Sequence, residues 1–242
     1  MTQLAPGIHR LGPGIVNSYL LVESGVITII DTGLPGQFDD LVVELRSIGR
    51  SLDDVRAVLL THGHGDHIGY AERIRRERRI AVSVHELDAP LARGEVPNPA
   101  KGLGPARPIP LLRFLWYTAR MGGLRLKHLA EVATFGDGAT LDMPGSPRVI
   151  LVPGHTPGSA ALHAAGHDTL FVGDAFSTLA VTTGETGPRV APFTADIPTA
   201  IRSLDRLRGV EAHIVLPGHG DAWRGTVDEA IRLVTAFELA AG

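Results

Sequence analysis

The chain has 242 residues, of which 44% are hydrophobic, 20% charged and 5% aromatic, an ordinary composition for a globular protein. Its formal net charge of −3 gives no basic excess of the kind that nucleic-acid-binding proteins carry. The absence of cysteine excludes disulfides, thiolate metal sites and a cysteine nucleophile. The eleven histidines, several of them clustered, are the unusual feature of the composition.

The amino terminus and the lengths of the apolar runs bear on location. Residues 1–12 (MTQLAPGIHRLG) lack a basic start followed by an apolar run, so they do not resemble a secretory signal peptide. No stretch approaches the roughly 18 apolar residues of a membrane-spanning helix. We therefore expect a cytoplasmic protein without a membrane span, acting on a small molecule and not on nucleic acid.

Strands and helices are predicted from the spacing of apolar residues. Short β-branched runs bounded by turns predict strands, and apolar residues three or four apart predict helices. The first part of the chain gives strands at 15–23, 26–30, 55–60 and 80–84, with helices at 38–48 and 68–79. The part after residue 135 gives strands at 148–152, 159–164, 169–172 and 213–216, with helices at 197–207 and from 227 onward.

Residues 86–133 interrupt this pattern with many prolines and glycines, followed by a segment dense in large apolar side chains, 111–119 (LLRFLWYTA). Between residues 86 and 131, seven basic residues stand against four acidic ones, a local charge of +3. We interpret 86–133 as an insertion, and as a lid it would suit an acyl chain beside an anionic group. The alternative is an amphipathic helix docked on the body or in a homodimer contact.

Four residues of metal-binding type follow the predicted strand at 55–60: His62, His64, Asp66 and His67. Imidazole nitrogen and carboxylate oxygen are the ligands that zinc and similar divalent ions take. The glycines between them allow a tight loop in which side chains two residues apart point the same way, so one cluster can serve two adjacent metals. The alternative is a polar loop whose histidines cap a helix and face water.

Two metal sites need more than four ligands, and three further candidates follow predicted strands: His155, Asp174 and His219. Each stands at a strand–turn junction, where a rigid scaffold presents chemistry on a loop. A carboxylate such as Asp174 can bridge two cations. Taken singly, a histidine after Pro-Gly is more often an ordinary turn residue, but together the three supply the ligands that two metal sites still need.

This set of residues resembles the metallo-β-lactamase superfamily, and Asp31-Thr32-Gly33 is similar to that family's first motif. The resemblance covers nearly the whole chain except the insertion, and it implies an α/β fold, a four-layered αββα sandwich, in a single domain over 1–242. It also implies residue roles: His62, His64 and His155 hold one metal, Asp66, His67 and His219 hold the second, and Asp174 bridges them. Asp31 would support the ligands from behind, with an aspartate that merely ends a strand at a turn as the alternative.

The chemistry that follows from such a centre is hydrolysis. Two dications lower the pKa of a shared water towards about 7, giving hydroxide at neutral pH. That bridging hydroxide would attack an ester-like carbonyl in a lactone, thioester or ester, and Asp66 would orient the nucleophile or carry a proton. We expect zinc, with iron or manganese as alternatives. Two other hypotheses stay open: a phosphodiesterase or nuclease on the same scaffold, and a non-catalytic metal-binding partner module.

Residues that bind the substrate are less well marked. Within the family, the closest patterns are those of the glyoxalase-II-like thioesterases and the lactone hydrolases. The lactone hydrolases commonly carry a tyrosine three residues after the bridging aspartate, where this chain has Ser177. Tyr70, Trp116 and Tyr117 are therefore candidates for substrate contact, each with ordinary core or surface packing as the alternative.

Overall fold

The computed structural model describes residues 2–100, 102 and 104–241, and seven strands of its first half form one sheet in chain order. The first four strands are paired antiparallel, whereas the fourth to the seventh are paired parallel. The strands are β1 (Thr2–Ala5), β2 (Ile8–Leu11), β3 (Ser18–Glu23), β4 (Val26–Ile30), β5 (Val55–Leu59), β6 (Val82–His85) and β7 (Ala133–Phe135).

The second half of the chain forms a five-stranded sheet and a separate two-stranded hairpin. The strands are β8 (Arg148–Leu151), β9 (Ala160–Ala164), β10 (Thr169–Gly173), β11 (Ser177–Leu179), β12 (Thr186–Arg189), β13 (Ile214–Pro217) and β14 (Trp223–Arg224). The sheet order is β14-β13-β10-β9-β8, and β11 pairs with β12. Within the sheet, only β10 and β13 are parallel neighbours.

The described residues form six α-helices: α1 (Gln37–Ser47), α2 (Ala71–Arg78), α3 (Ala89–Ala92), α4 (Pro108–Arg120), α5 (Ile197–Ser203) and α6 (Val227–Ala241). Of these, α1 and α2 cover the outer face of the first sheet, and α6 covers that of the second. The segment between β6 and β7 contains α3 and α4. Among the described residues, no helix is both long and apolar enough to cross a bilayer.

Three apolar clusters give the fold its layers. One cluster joins α1 and α2 to the first sheet, a second joins α6 and residues 204–207 to the second sheet, and a third fills the space between the sheets. Side chains alternate along each strand: Ile29 faces the helices while Ile30 faces the other sheet, and Val172 and Phe171 divide in the same way. The αββα sandwich expected from the sequence is confirmed.

The main strands and helices match their sequence predictions, with shifts at the ends. The strand expected to begin at residue 15 begins at Ser18, because the preceding residues form a turn in which the Asn17 N–H donates to the Gly218 carbonyl. The helix expected at 68–79 begins at Ala71, because residues 61–70 form an irregular loop. The sequence prediction missed β1, β2, β7, β11, β12 and β14.

The strand directions determine where the functional loops meet. Parallel strands β4, β5 and β6 end at one edge of the first sheet. In the second sheet, β8, β10 and β13 also run in a common direction, since β8 and β10 are each antiparallel to β9 and β13 is parallel to β10. The loops that follow these six strands come together at one edge of the sandwich, the position at which α/β folds present functional side chains.

Candidate metal centre

The seven ligand candidates lie together at this edge, although they come from four separate loops. His62, His64, Asp66 and His67 follow β5, and the remaining three follow β8, β10 and β13 respectively: His155, Asp174 and His219. Six of the seven are buried, with at most 5% of their surface exposed. The side chain of Asp66 is 21% exposed, so Asp66 is the member of the cluster that faces solvent.

The candidate ligand atoms divide into two sets that share a boundary. One set is His62, His64 and His155, and another is Asp66, His67 and His219; within each set the ligand atoms lie within 4.8 Å of one another. A third group of the same compactness joins Asp174 to one histidine of each set, His62 and His67. The arrangement therefore offers two adjacent positions with a carboxylate between them.

Distances place the Asp174 carboxylate at the centre of the cluster. Its Oδ2 atom lies 3.3 Å from Nε2 of His155 and 3.1 Å from Nε2 of His219, which belong to different sets. Nε2 of His67 lies 3.7 Å away. A carboxylate in this position can contact an ion held by either set, so Asp174 has the geometry of a bridging ligand.

Hydrogen bonds outside the cluster fix the orientation of each imidazole, beginning with His67 and His219. Nδ1 of His67 lies 2.9 Å from Oδ2 of Asp31, and Nδ1 of His219 bonds the backbone carbonyl of Ile15. Carboxylate and carbonyl oxygens only accept hydrogen bonds, so Nδ1 carries the proton in both rings. When the ring is neutral, Nε2 is therefore the nitrogen with a free lone pair, and in both residues it faces the cluster.

His62 is held by a short relay of hydrogen bonds. Its Nδ1 lies 3.1 Å from Oγ1 of Thr61, and the Thr61 hydroxyl lies 2.8 Å from Oδ2 of Asp31. The hydroxyl must donate to the carboxylate, so it accepts from His62 Nδ1 and again leaves Nε2 as the free nitrogen. Asp31 thus orients two histidines, one from each set.

His155 and His64 are held in the same way by residues distant in sequence. Nδ1 of His155 lies 3.0 Å from Oγ1 of Thr194, whose hydroxyl donates to the Ala191 carbonyl. Nε2 of His64 lies 3.1 Å from Oδ1 of Asn98, an oxygen that also accepts the backbone N–H two residues further on. His64 is therefore the exception among the five histidines, since its Nδ1 and not its Nε2 faces the cluster.

The atoms that face inward fit divalent cations. Nδ1 of His64 and Nε2 of His155, both lone-pair nitrogens by the argument above, lie 2.9 Å apart, which is unfavourable unless both bind a positive charge. Nε2 of His62, Nε2 of His67 and Oδ1 of Asp174 are buried and have no hydrogen-bond partner in the described part of the chain. Buried polar atoms without partners are costly, and the imidazole–carboxylate set is one that divalent metals satisfy.

Burial determines the charge state of the first set. Burial is the main cause that lowers the pKa of His62 and the pKa of His155 well below the ordinary value of histidine. Burial also lowers the pKa of His64, against a partly compensating effect of Asp66 and Asp174. These three histidines are therefore neutral at pH 7, which is the form that binds metals.

Carboxylates dominate the electrostatics of the second set. Burial acts to lower the pKa of His67, but Asp31, Asp174 and Asp66 outweigh it and raise the pKa to about 10. At His219, burial again acts to lower the pKa, but Asp174 outweighs this effect and the pKa is raised. The pKa of Asp174 is held well below its ordinary value by the surrounding imidazoles, in spite of burial. The second position thus already favours a positive charge.

Asp31 accepts more than the two bonds already described. Its Oδ1 accepts the Thr61 backbone N–H at 2.8 Å, so the end of β4 is joined to the loop that follows β5. The backbone at Asp31 has φ +56°, a left-handed conformation that aspartate tolerates better than most residues. The sequence predicts a supporting role for Asp31, and in the structure its carboxylate is hydrogen-bonded to His67 and, through Thr61, to His62, one candidate ligand of each set.

Asp88, which the sequence analysis missed, joins two ligand loops. Its carboxylate is fully buried and accepts the Gly63 N–H at 2.8 Å, the Gly158 N–H at 2.6 Å and the Thr156 hydroxyl at 2.7 Å. Gly63 lies between His62 and His64, and Thr156 follows His155. Asp88 therefore fixes the distance between the two loops that supply the first set. Thr194 and Asn98 were also missed, and no local pattern marks any of the three.

Position 218, next to His219, requires a glycine because two side chains of the cluster approach its backbone closely. A Cβ atom built at this position would lie 2.3 Å from Oδ1 of Asp174 and 2.5 Å from Cε1 of His67. Any side chain would displace these two candidate ligands. The Pro-Gly pair before His219 is therefore part of the centre and does more than form a turn.

The four candidates for substrate contact differ in burial and in packing. Tyr70 lies in the core against Phe38, and Ser177 is fully buried in β11; neither hydroxyl has a hydrogen-bond partner among the described residues. Tyr117 is 9% exposed and packs inside, and burial raises the pKa of its hydroxyl to about 12. Trp116 is 63% exposed on the outer face of α4.

Another side chain of α4 reaches the centre. Phe114 is buried, and its ring lies 6.4 Å from the ring of His219 in an edge-to-face arrangement. It belongs to an apolar cluster with Ile15, Val16 and Tyr117. Residues between β6 and β7 therefore form an apolar roof over the second ligand set.

Comparisons with known proteins agree with this geometry. The family model of the metallo-beta-lactamase superfamily matches residues 11–219. The probable metallo-hydrolase YflN of Bacillus subtilis (strain 168) is 28% identical over 233 residues, covering 90% of this chain and 85% of that protein. The crystal structure of the metallo-beta-lactamase family protein TTHA1429 from Thermus thermophilus has a TM-score of 0.68 and 25% identity, covering 98% of this chain and 81% of that one.

A further solved structure, TTHA1623 in a di-iron-bound form, has a TM-score of 0.60 and 27% identity, covering 90% of this chain and 93% of that one. The family match includes every residue from Asp31 to His219 that the site uses. The chain belongs to the metallo-β-lactamase superfamily.

Proposed function

We propose that this protein is a hydrolase that uses two divalent metal ions to cleave the acyl–oxygen or acyl–sulfur bond of a small molecule that is a lactone, thioester or ester, with water attacking the carbonyl carbon. One observation carries the proposal: each of the five histidines has one ring nitrogen bonded to an acceptor outside the cluster, while the other faces inward. Hydrogen bonds that orient imidazoles in this way are typical of metal-ligating histidines.

The ligand assignment follows the two sets. His62, His64 and His155 would hold the first ion, Asp66, His67 and His219 would hold the second, and Asp174 would contact both. Zinc is the ion we propose, and the di-iron-bound form of TTHA1623 supports iron as an alternative. Two such ions, when bound, supply Lewis acidity for the carbonyl oxygen and lower the pKa of water at neutral pH.

Asp66 is proposed to act in the reaction as well as in binding. It is the candidate ligand exposed to solvent, and its Oδ2 atom lies 3.5 Å from Nε2 of His219. A carboxylate at the boundary between the buried centre and solvent can orient the attacking water and accept its proton. The apolar roof of Phe114 and its neighbours limits access of further water and suits an acyl group.

The assignment is tested by metal analysis and a substrate panel on the same preparation. The wild-type protein is expected to contain two divalent ions per chain and to hydrolyse at least one thioester, lactone or ester. His64→Ala and Asp174→Ala should lose metal and activity together. The matched control is His213→Ala, because its exposed side chain bonds Asp168, and these two residues immediately precede β13 and β10, whose far ends lead to His219 and Asp174.

The outcomes separate the proposal from its alternatives. Turnover of bis-p-nitrophenyl phosphate without turnover of any carbonyl substrate would indicate a phosphodiesterase. Two bound metals without turnover of any substrate would indicate a non-catalytic metal-binding module. Full activity and full metal content in His64→Ala or Asp174→Ala would show that the ligand assignment is wrong.

We propose further that residues 86–133 act as a lid that selects the substrate. Phe114→Ala should change KM or substrate preference without loss of metal, because this ring covers the centre and bonds none of its ligands. Trp116→Ala is the matched control on the outer face of the same helix. Deletion of the whole segment is a poorer test, since it also removes Asn98, which orients His64. Wild-type kinetics of Phe114→Ala on every substrate would contradict the lid.

A further inference from the structure

A cavity of about 520 Å³ opens on the outer side of the loop that supplies Asp66 and His67. Its walls are α2 on one side and the segment after α4 on the other, and its floor includes Gly69 and Tyr70. Six charged side chains surround this basic cavity: Glu72, Arg73, Arg76, Glu77, Arg125 and Lys127. None of them belongs to the metal centre.

The acidic groups of the basic cavity are already neutralised by other cations. Glu72 is bonded by Arg75 at 2.8 and 3.1 Å, from outside the cavity. Glu77 is paired with Arg73 at 3.0 Å, and the Arg73 guanidinium also stacks 3.7 Å over the ring of Phe38. Arg73 is thus held in place, and neither carboxylate remains to balance the three other basic residues.

The side chains of those three residues, Arg76, Arg125 and Lys127, form no ion pair or hydrogen bond with the described residues of the chain. Arg76 lies near Glu72 and contributes to lowering the pKa of that carboxyl, after the larger effect of Arg75. No acidic residue occurs anywhere in 96–130, and the two acidic residues that flank this stretch, Glu95 and Glu131, are paired with Arg93 and Arg75. Three cations therefore face one cavity without a counterion.

The segment that carries two of these cations also covers the metal loop. The Leu126 side chain lies against Gly65, where an added Cβ would come within 2.6 Å of Leu126 Cδ2. Gly65 immediately precedes Asp66. A ligand that binds Arg76 of α2 together with Arg125 and Lys127 would hold the segment 125–127 against the loop that supplies the exposed metal-ligand candidate.

We propose that the basic cavity is a binding site for a phosphate-type anion, which bridges α2 and the insertion and thereby fixes the cover over the metal loop. Arginine forks match phosphate oxygens in pairs, and lysine adds a compact positive charge. The cavity is large enough for a phosphate group with part of the molecule that carries it. The proposal concerns binding and does not depend on the reaction at the metal centre.

The phosphate group could belong to a small molecule or to a lipid. The outer face of α4, whose carboxyl end leads into the cavity segment, exposes Ile109 by 81%, Leu112 by 64% and Trp116 by 63%. Leu124, immediately before Arg125, is 87% exposed. An apolar face beside basic residues is also the pattern of helices that lie on anionic membranes, so the test includes both sources.

Calorimetric titration of the metal-loaded protein with inorganic phosphate tests the site directly. The double variant Arg125→Ala/Lys127→Ala is expected to bind phosphate about tenfold more weakly, since charge-assisted hydrogen bonds to the anion are lost. Arg113→Ala is the matched control, because Arg113 is an exposed cation of α4 outside the cavity. Metal content is measured for each protein, so that weaker phosphate binding caused by loss of metal is distinguished from weaker binding caused by the basic cavity.

The results divide clearly. If the double variant binds phosphate as tightly as the wild type, the binding belongs to the metal centre and the proposal is overturned. The proposal is also overturned if the wild-type protein binds no phosphate. Weakened binding in the double variant alone supports it. Sedimentation with vesicles of phosphatidylcholine, with or without phosphatidylglycerol, identifies the source. Binding to anionic vesicles that the double variant loses indicates a lipid headgroup, and phosphate binding without vesicle binding indicates a small molecule.

Discussion

Replacing Asp88 by alanine is expected to destabilise the fold and the metal centre together. The carboxylate joins the loop of His62 and His64 to the loop of His155 by accepting three buried hydrogen bonds. In Asp88→Ala, the N–H groups of Gly63 and Gly158 lose their acceptor. The Thr156 hydroxyl still has Ser159 Oγ at 2.8 Å, so two of the three donors have no replacement among the protein groups that surround them.

The magnitude follows from these bonds. A buried donor left without a partner costs about 1–3 kcal/mol, so two such donors predict a loss of about 2–6 kcal/mol, to which the Thr156 hydroxyl adds less because it keeps Ser159 Oγ as a partner. Water that enters the space of the lost carboxylate moves the value towards the lower end. Asp88→Asn keeps one oxygen but presents an N–H₂ group to a donor, and we expect a loss of about 1–3 kcal/mol. Both values are large against a typical stability of about 5–15 kcal/mol.

Urea unfolding of the metal-free and metal-loaded proteins measures these losses. Asp142→Ala serves as the control, because Asp142 is exposed in a loop, and it should change stability by less than about 0.5 kcal/mol. Metal titration should also show weaker binding in Asp88→Ala, since the first ligand set depends on both loops. Stability and metal affinity of Asp88→Ala equal to those of the control would refute the claim that this carboxylate holds the loops together.

Three other perturbations follow from the structure. Asp31→Asn should weaken metal binding about 10–100-fold, since it disturbs the acceptor that orients His67, and equilibrium dialysis showing wild-type affinity would contradict this role. Gly69→Ala should lower the melting temperature, because its Cβ would lie 2.2 Å from the Gly33 carbonyl oxygen, whereas Gly166→Ala, with no atom within 4 Å, should leave it unchanged. Removing the metal with a chelator should lower the melting temperature reversibly, because each bound ion adds about 2.7 kcal/mol of stability when it stands at 100 times its Kd. A thermal scan that is identical before and after chelation would argue against bound cations.

The buried strands could be predicted from sequence because their signal is local. β4 and β10 are continuous apolar runs with a turn at each end, and burial on both faces of a sandwich requires such composition. β1 is short, half-exposed and partly polar, as its sequence TQLA shows, so nothing in its composition distinguishes it from a loop. Its position depends on pairing with β2, which is a tertiary effect.

The candidate ligands could be found for a related reason. Histidine and aspartate directly after predicted strands are rare enough to notice, and the family motif supplied their grouping. The residues that orient them carry no such mark. Asn98 lies 34 residues from His64 and Thr194 lies 39 residues from His155, and each bonds its histidine only because the fold brings the two segments together.

These orienting residues change how the insertion is understood. Asn98 belongs to the segment between β6 and β7, yet it determines which nitrogen His64 turns towards the other ligands. Phe114, from the same segment, roofs the opposite ligand set. If the lid and the ligand assignment proposed above hold, the same segment covers the centre and orients one of its candidate ligands, so we expect movement of the insertion to alter access and metal affinity at once. The two proposals together thus predict that substrate selection and metal binding are physically coupled, because both would depend on the position of one segment.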